Sequence, residues 1–276
     1  MSPLPDLPDS VAPPIGHSTN LIGLPTALLA SSAFQDNPLP LSISGVRQTN
    51  GALFAMLHDA QSAKDAVDAF QIYMRAVFDL ESPAERDAGG RKRYRSSYLR
   101  LLRGWGFDAN GKEGAVLKGW VESRFGLLPT FHKEVLGRYP SAAWMVYTEE
   151  KMAARFHNNC IQLQLDLLYE FAQRFLRRWL YPGHKHITLY RGVNDFGEHL
   201  LVERQDRHRA IVRQNNLVSF TTQRDVADQF GDTILEVDVP LSKILYCNAL
   251  VPGPLLRGEG EVLVIGGDYR VRLGYL

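Results

Sequence analysis

Residues 257–267 read RGEGEVLVIGG: a glycine flanked by two carboxylates, Glu259 and Glu261, then an apolar run that ends in Gly266 and Gly267. The run is short and rich in β-branched residues, which reads as a buried strand. The glycine-rich loop of a doubly wound nucleotide fold follows a strand and opens a helix, whereas this G-x-G precedes a strand. The motif is therefore not a Rossmann fingerprint. Residues two apart on a strand face the same way, so the two acids are expected to crowd one patch at the strand's mouth.

Outward from this stretch the period of two persists. The segments HITLYRG, LVSFTT, TILEVDVP, KILYCNALVP, EVLVIGG and YRVRLGYL, all beyond residue 185, each read as a short strand. Upstream, from about residue 50 to 180, the period is helical: Ala66, Phe70, Met74 and Val77 recur at helix spacing. A long helix is expected from near Thr148, with Glu149 and Glu150 in a first turn that favours negative charge. Its stripe is Phe156, Cys160, Leu163, Leu167, Phe171, Phe175 and Trp179, and it ends at Pro182 and Gly183. Helices followed by strands indicate an α+β architecture. We expect a Pro-rich arm over 1–20, a helical region over 21–147 and a β-rich core over 148–276.

The chain of 276 residues is 45% hydrophobic and 22% charged, a globular composition with 31 Lys+Arg against 30 Asp+Glu. Such balance gives no global field for nucleic acid or a membrane surface, so recognition must come from a local patch. Cys160 and Cys247 lie far apart without a CxxC motif, which argues against a disulfide framework or structural zinc and fits a reducing cytoplasm. There is no signal-peptide pattern and no run of apolar residues long enough to span a bilayer. His184 and His186 have a chelating spacing but no third ligand, so no metal is expected. Arg91, Lys92, Arg93, Arg95, Arg100 and Arg103, with tyrosines interleaved, form either a solvated helix face or a docking patch for a protein partner.

Three polar features interrupt the strands: Arg191, Ser219 with Phe220 and Thr221, and the Glu259-Gly260-Glu261 turn. Alone, each has an ordinary structural explanation: a surface ion pair, a satisfied strand hydroxyl, a solvated turn. Together and in this order they resemble the arginine, serine, glutamate signature of the mono-ADP-ribosyltransferases. Beyond that signature, the stretch from GHSTNLIGLP to GALFAML and the helical middle are similar to the NAD-dependent dinitrogenase reductase ADP-ribosyltransferases of nitrogen-fixing bacteria, over nearly the whole chain.

The resemblance implies a helical region packed on a transferase fold of two facing small sheets around an NAD cleft. It implies NAD as co-substrate, bound by Arg191, Gly192, Ser219, Phe220, Thr221 and Phe230. A guanidinium at a strand end suits the pyrophosphate, and the backbone at Gly192 would grip the nicotinamide carboxamide. Glu261 would be the catalytic glutamate, stabilising the positive charge that develops on the ribose. Ser219 would orient that carboxylate, and Phe220 or Phe230 would stack on nicotinamide. By implication the protein substrate is the nitrogenase iron protein, modified on an arginine and thereby inactivated. Control by a PII signalling protein and reversal by a separate glycohydrolase are implied as well. Two alternatives stand beside this: a catalytically silent NAD-binding or partner-binding module, and an arginine-specific transferase with another target.

Glu259 takes its role from the same resemblance, since transferases that modify arginine carry an acid or amide two positions before the catalytic glutamate. A guanidinium, with a pKa above about 12, becomes a nucleophile only as a neighbouring group accepts its proton. Glu259→Gln is therefore expected to damage transfer to arginine more than hydrolysis of NAD, because water needs less help; parallel assays of the two activities on one preparation check this. Equal losses would return Glu259 to a structural part in the turn.

Overall fold

The computed structural model describes residues 20–80, 96–153, 156, 160–194, 200–251 and 260–275. Helices dominate the first part: α1 (Thr26–Ala30), α2 (Ser32–Asp36), α3 (Val46–Thr49), α4 (Gly51–Asp59), α5 (Ala63–Phe78), α6 (Tyr98–Phe107) and α7 (Lys112–Phe125). A minimal hairpin follows, β1 (Phe131–His132) and β2 (Glu134–Val135), and then α8 (Ala142–Lys151) and α9 (Ile161–Phe175). The remainder is β3 (His186–Val193), β4 (Leu200–Arg204), β5 (Arg209–Thr221), α10 (Arg224–Asp228), β6 (Thr233–Pro240), β7 (Ile244–Cys247) and β8 (Glu261–Tyr275). The α+β class is as the sequence reads. Among the described residues no helix is long and apolar enough to cross a membrane.

Several local expectations are corrected. The expected helix from Thr148 is two helices, because Ser141 caps α8 by accepting from the Trp144 amide, which places Thr148 to Glu150 at its end. Glu150 there binds His132 and Lys133 of the hairpin and does not serve a first turn. Helix α9 starts only after Cys160, which sits at a φ of 52°, and Cys160 and Leu163 of the expected stripe are exposed. In α5, capped by Ser62, Phe78 and not Val77 completes the buried stripe of Ala66, Phe70 and Met74. The strand after Lys243 stops at Cys247, where a 3-10 turn begins. EVLVIGG and YRVRLGYL are one strand, with the glycine pair as a bend inside it.

That bend has a steric cause. A Cβ on Gly266 would lie 1.7 Å from the Asn215 carbonyl oxygen, and Gly267 has a φ of 119° with the Ala30 carbonyl close by. Opposite, β5 shifts register between Gln214 and Leu217. The helical region pins this bulge: Asn216 Nδ2 donates to the carbonyls of Lys118 and Leu127, both at 2.9 Å, and Asn215 Nδ2 donates to that of Phe131 at 2.8 Å.

The six longer strands, all antiparallel, run in the order β4-β5-β3-β6-β8-β7, with an added β5–β8 pairing that closes β5, β3, β6 and β8 on themselves. The two small sheets expected are thus joined by hydrogen bonds into one curled sheet. Against it lies α9, buried almost all round, with each buried polar side chain holding a neighbour. Asp166 accepts from Trp120 and Arg124, Tyr169 donates to the Ser242 carbonyl, and Gln173 donates to those of Leu241 and Ile244. Phe171 of α9 stacks on Phe70 of α5 at 4.2 Å. One apolar cluster therefore runs from Leu29 to Leu273 through both helices and strands.

Lys243 is wholly buried beneath the bend, donates to the Gly266 carbonyl at 2.9 Å and lies 4.7 Å from the centre of the Tyr269 ring. Burial pulls its ammonium down from 10.5 to about 7, with Asp268 opposing. Between about pH 7 and 10.5 the unfolded chain then binds the proton more tightly than the folded one, so this group's contribution to stability rises with pH through that window and is lost as pH falls. Denaturant unfolding of wild type and Lys243→Met across the window should show the stability difference moving in favour of wild type as pH rises. A pH-independent difference would mean the amine titrates alike in both states.

Candidate active site

Register assembles the site. Strand β5 pairs with β8 so that Ser219 faces Leu263 and Thr221 faces Glu261. Cross-strand partners share a face, which leaves Ser219 and Glu261 as diagonal neighbours within side-chain reach. Ser219 Oγ donates to Glu261 Oε1 at 2.7 Å. The Glu261 turn is set by Gly260, whose φ is 66° and where a Cβ would lie 2.2 Å from Thr222 Oγ1; the Thr222 amide donates to the Gly260 carbonyl. A side chain between the two acids is therefore excluded on both conformational and steric grounds. Glu259 itself lies outside the described residues, as do Arg91, Lys92, Arg93 and Arg95; Arg100 and Arg103 are exposed on α6.

Strand β3 supplies the other wall. Tyr190 pairs with Thr221, and Arg191, the next residue, donates from Nη1 to the Ser219 carbonyl at 2.9 Å. Gly192 packs under α10: a Cβ there would lie 2.0 Å from the Ala227 carbonyl oxygen. Between these walls is a cleft of about 500 Å³ lined by Arg191, Gly192, Ser219, Phe220, Thr221, Phe230 and Glu261, joined by Tyr190, Val226, Ala227 and Gly106. Every described residue of the expected site meets in this one cleft.

The residues differ in what they offer there. Phe230 is 65% exposed at the lip, with a ring face open to a ligand. Phe220 pairs with Val262 and is buried in the core although it borders the cleft. Thr221 Oγ1 accepts from the Gln223 amide and so holds the turn into α10. Behind the carboxylate, burial foremost, with Cys247, Tyr98 and then Glu261 adding to it, pushes the Tyr246 phenol well up, so it stays protonated at neutral pH. His186, by contrast, engages the Gln35 carbonyl and does not line the cleft. Among the described residues no group of three or more His, Cys, Asp and Glu side chains is gathered in metal-binding fashion.

Sequence reasoning missed two residues of α6: Gly106, which lines the cleft, and Trp105, buried beside Ser219. Trp105 Nε1 donates to Ser219 Oγ at 2.8 Å. Helical periodicity alone marks Trp105 as a core residue, and nothing local ties it to a serine 114 residues away.

The profile of a family described as dinitrogenase reductase ADP-ribosyltransferase matches residues 19–273 of the chain. A protein of Rhodospirillum rubrum named NAD(+)--dinitrogen-reductase ADP-D-ribosyltransferase is 56% identical over 269 residues, which cover 96% of this chain and 97% of that protein. No solved structure is a significant match.

The contact at Gly192 yields a direct test. Gly192→Ala must displace α10 from β3, and overpacking against backbone typically costs about 1 to 3 kcal/mol or more. A lowered midpoint in thermal or urea unfolding is expected; an unchanged midpoint would show that α10 shifts freely.

Proposed function

This chain belongs to the dinitrogenase reductase ADP-ribosyltransferase family and is an NAD-dependent transferase; on that premise we propose that its cleft binds NAD and passes ADP-ribose to an arginine of dinitrogenase reductase, the nitrogenase iron protein. Modification of that arginine would inactivate the iron protein and so regulate nitrogen fixation. The observation that carries the site assignment is the 2.7 Å contact between Ser219 and Glu261, in a cleft shared with Arg191.

In this proposal Arg191 holds pyrophosphate oxygens by charge-assisted hydrogen bonds, and the backbone at Gly192, bare of any side chain, receives the carboxamide. Phe230, with its exposed ring, stacks on nicotinamide more readily than the buried Phe220. As the bond between nicotinamide and ribose breaks, positive charge grows on the sugar, and the Glu261 carboxylate, oriented by Ser219, stabilises it. Nicotinamide leaves with the bonding pair. An arginine nitrogen then attacks the anomeric carbon and loses its proton to Glu259.

The same proposal takes 148–276 as the catalytic core and 21–147 as the helical region, with buried Trp105 of the latter bonded to Ser219 of the cleft wall. It also extends to a cytoplasmic location and to control by a PII signalling protein. The free thiols of Cys160 and Cys247 agree with the first of these, and the exposed Arg100 and Arg103 suit docking of the iron protein.

Incubation with NAD and purified iron protein, followed by mass mapping, tests the proposal; the expected result is one ADP-ribosylated arginine. Glu261→Gln keeps the shape and removes the charge, and loss of one such contact typically costs about a hundredfold or more in rate. Transfer and NAD hydrolysis should both collapse while NAD binding survives in calorimetry. Wild-type transfer by that variant would overturn the site assignment.

A further inference from the structure

We propose that Trp105 is a positioning residue of the transfer reaction: through Ser219 it fixes the carboxylate of Glu261. The inference rests on the assignment of Glu261 as the catalytic acid and goes beyond it, because it places part of the machinery in the helical region.

The directions of the hydrogen bonds carry it. An indole N–H can donate and cannot accept, and a serine hydroxyl has a single proton. Trp105 Nε1 lies 2.8 Å from Ser219 Oγ and therefore fills an acceptor position on that oxygen. The hydroxyl proton is left to point at Glu261 Oε1, 2.7 Å away. Trp105 to Ser219 to Glu261 is thus a one-way chain of donors ending on a carboxylate, and such chains strengthen each member. Without the indole, the hydroxyl is free to rotate and its bond to Glu261 Oε1 is no longer fixed.

Trp105 is itself held. It is 3% exposed, and its neighbour Gly104 packs against Glu113 of α7, where a Cβ would lie 2.6 Å from the Glu113 Cβ. The buried Lys118 ammonium lies 5.9 Å from the centre of the Trp105 ring and is anchored by Asn110 Oδ1 at 2.8 Å and the Phe131 carbonyl at 3.0 Å. A cation over the ring is attracted to its face and draws electron density from the N–H, which makes it a better donor. A tryptophan needed for packing alone would not require its N–H to end on this hydroxyl.

The test is a double-mutant cycle on NAD hydrolysis by the full chain, with no protein acceptor present. Trp105→Phe keeps an aromatic ring and removes the donor; losing one hydrogen bond to a key group should lower kcat about tenfold, with the NAD dissociation constant unchanged within about twofold. In a Ser219→Ala background the same change should have almost no further effect, because its route to Glu261 is already cut. Should Trp105→Phe fail to fold, 3-benzothienylalanine introduced at position 105 replaces N–H by sulfur at nearly equal volume and must give the same pattern. Multiplicative losses in the cycle, a parallel loss of NAD affinity, or a wild-type kcat in the single variant would each overturn the proposal. Glu261→Gln separates the two levels: if it hydrolyses NAD normally the underlying assignment fails, and if it is inactive while the Trp105 variants match wild type, the relay alone fails.

Discussion

Strand β5 lies against β8 from Arg209 opposite Arg272 to Thr221 opposite Glu261, and side chains on both alternate between faces. A slip of one residue would carry Glu261 to the other face and separate it from Ser219. What prevents the slip is midway along the pair, at the bulge where Asn215 and Asn216 meet Gly266. The missing side chain at Gly266 lets the two backbones approach, and the asparagine amides bond to carbonyls of the helical region. Moving the register would strand these buried polar groups, a penalty of roughly 1 to 3 kcal/mol for each.

The helical region is thereby more than a cover. Apolar burial draws helices and sheet into one cluster, but that force has no direction. Direction comes from buried polar side chains that each need a specific partner. Those of α9 reach α6, α7 and the segment before β7, while Glu170 takes the Ser42 hydroxyl, the Ile43 amide and Arg47. Because α6 is seated this way, Trp105 arrives beside Ser219 without any contact between α6 and the Glu261 turn being required.

The cleft joins constraints of two kinds. Gly192 and Gly260 are places where no side chain fits, which brings α10 against β3 and turns the chain into β8. Arg191, Ser219 and Glu261 are places where one chemistry is needed. An arginine-serine-glutamate set on rigid strands is preorganised, so little reorganisation accompanies the build-up of charge on a bound sugar.

The α+β class, most strands and the meeting of Arg191, Gly192, Ser219 and Glu261 were legible in the sequence, because strand periodicity is local and the ordered motif is similar to that of a known family. The breaks and joins were less so. Gly266 and Gly267 read as a strand end, since glycine usually stops a strand; only the opposing Asn215 backbone makes them a bend inside one. The helix from Thr148 was misplaced because the apolar spacing runs on across the break, and the Ser141 cap is the signal that would have moved it. That Phe220 turns into the core while Phe230 faces the cleft was decided by the pairing of β5 with β8, which no single segment contains. Trp105 was invisible as a site residue for the same reason: periodicity says that its side is buried, whereas its partner is chosen by helices packing onto a sheet in which Ser219 lies 114 residues away.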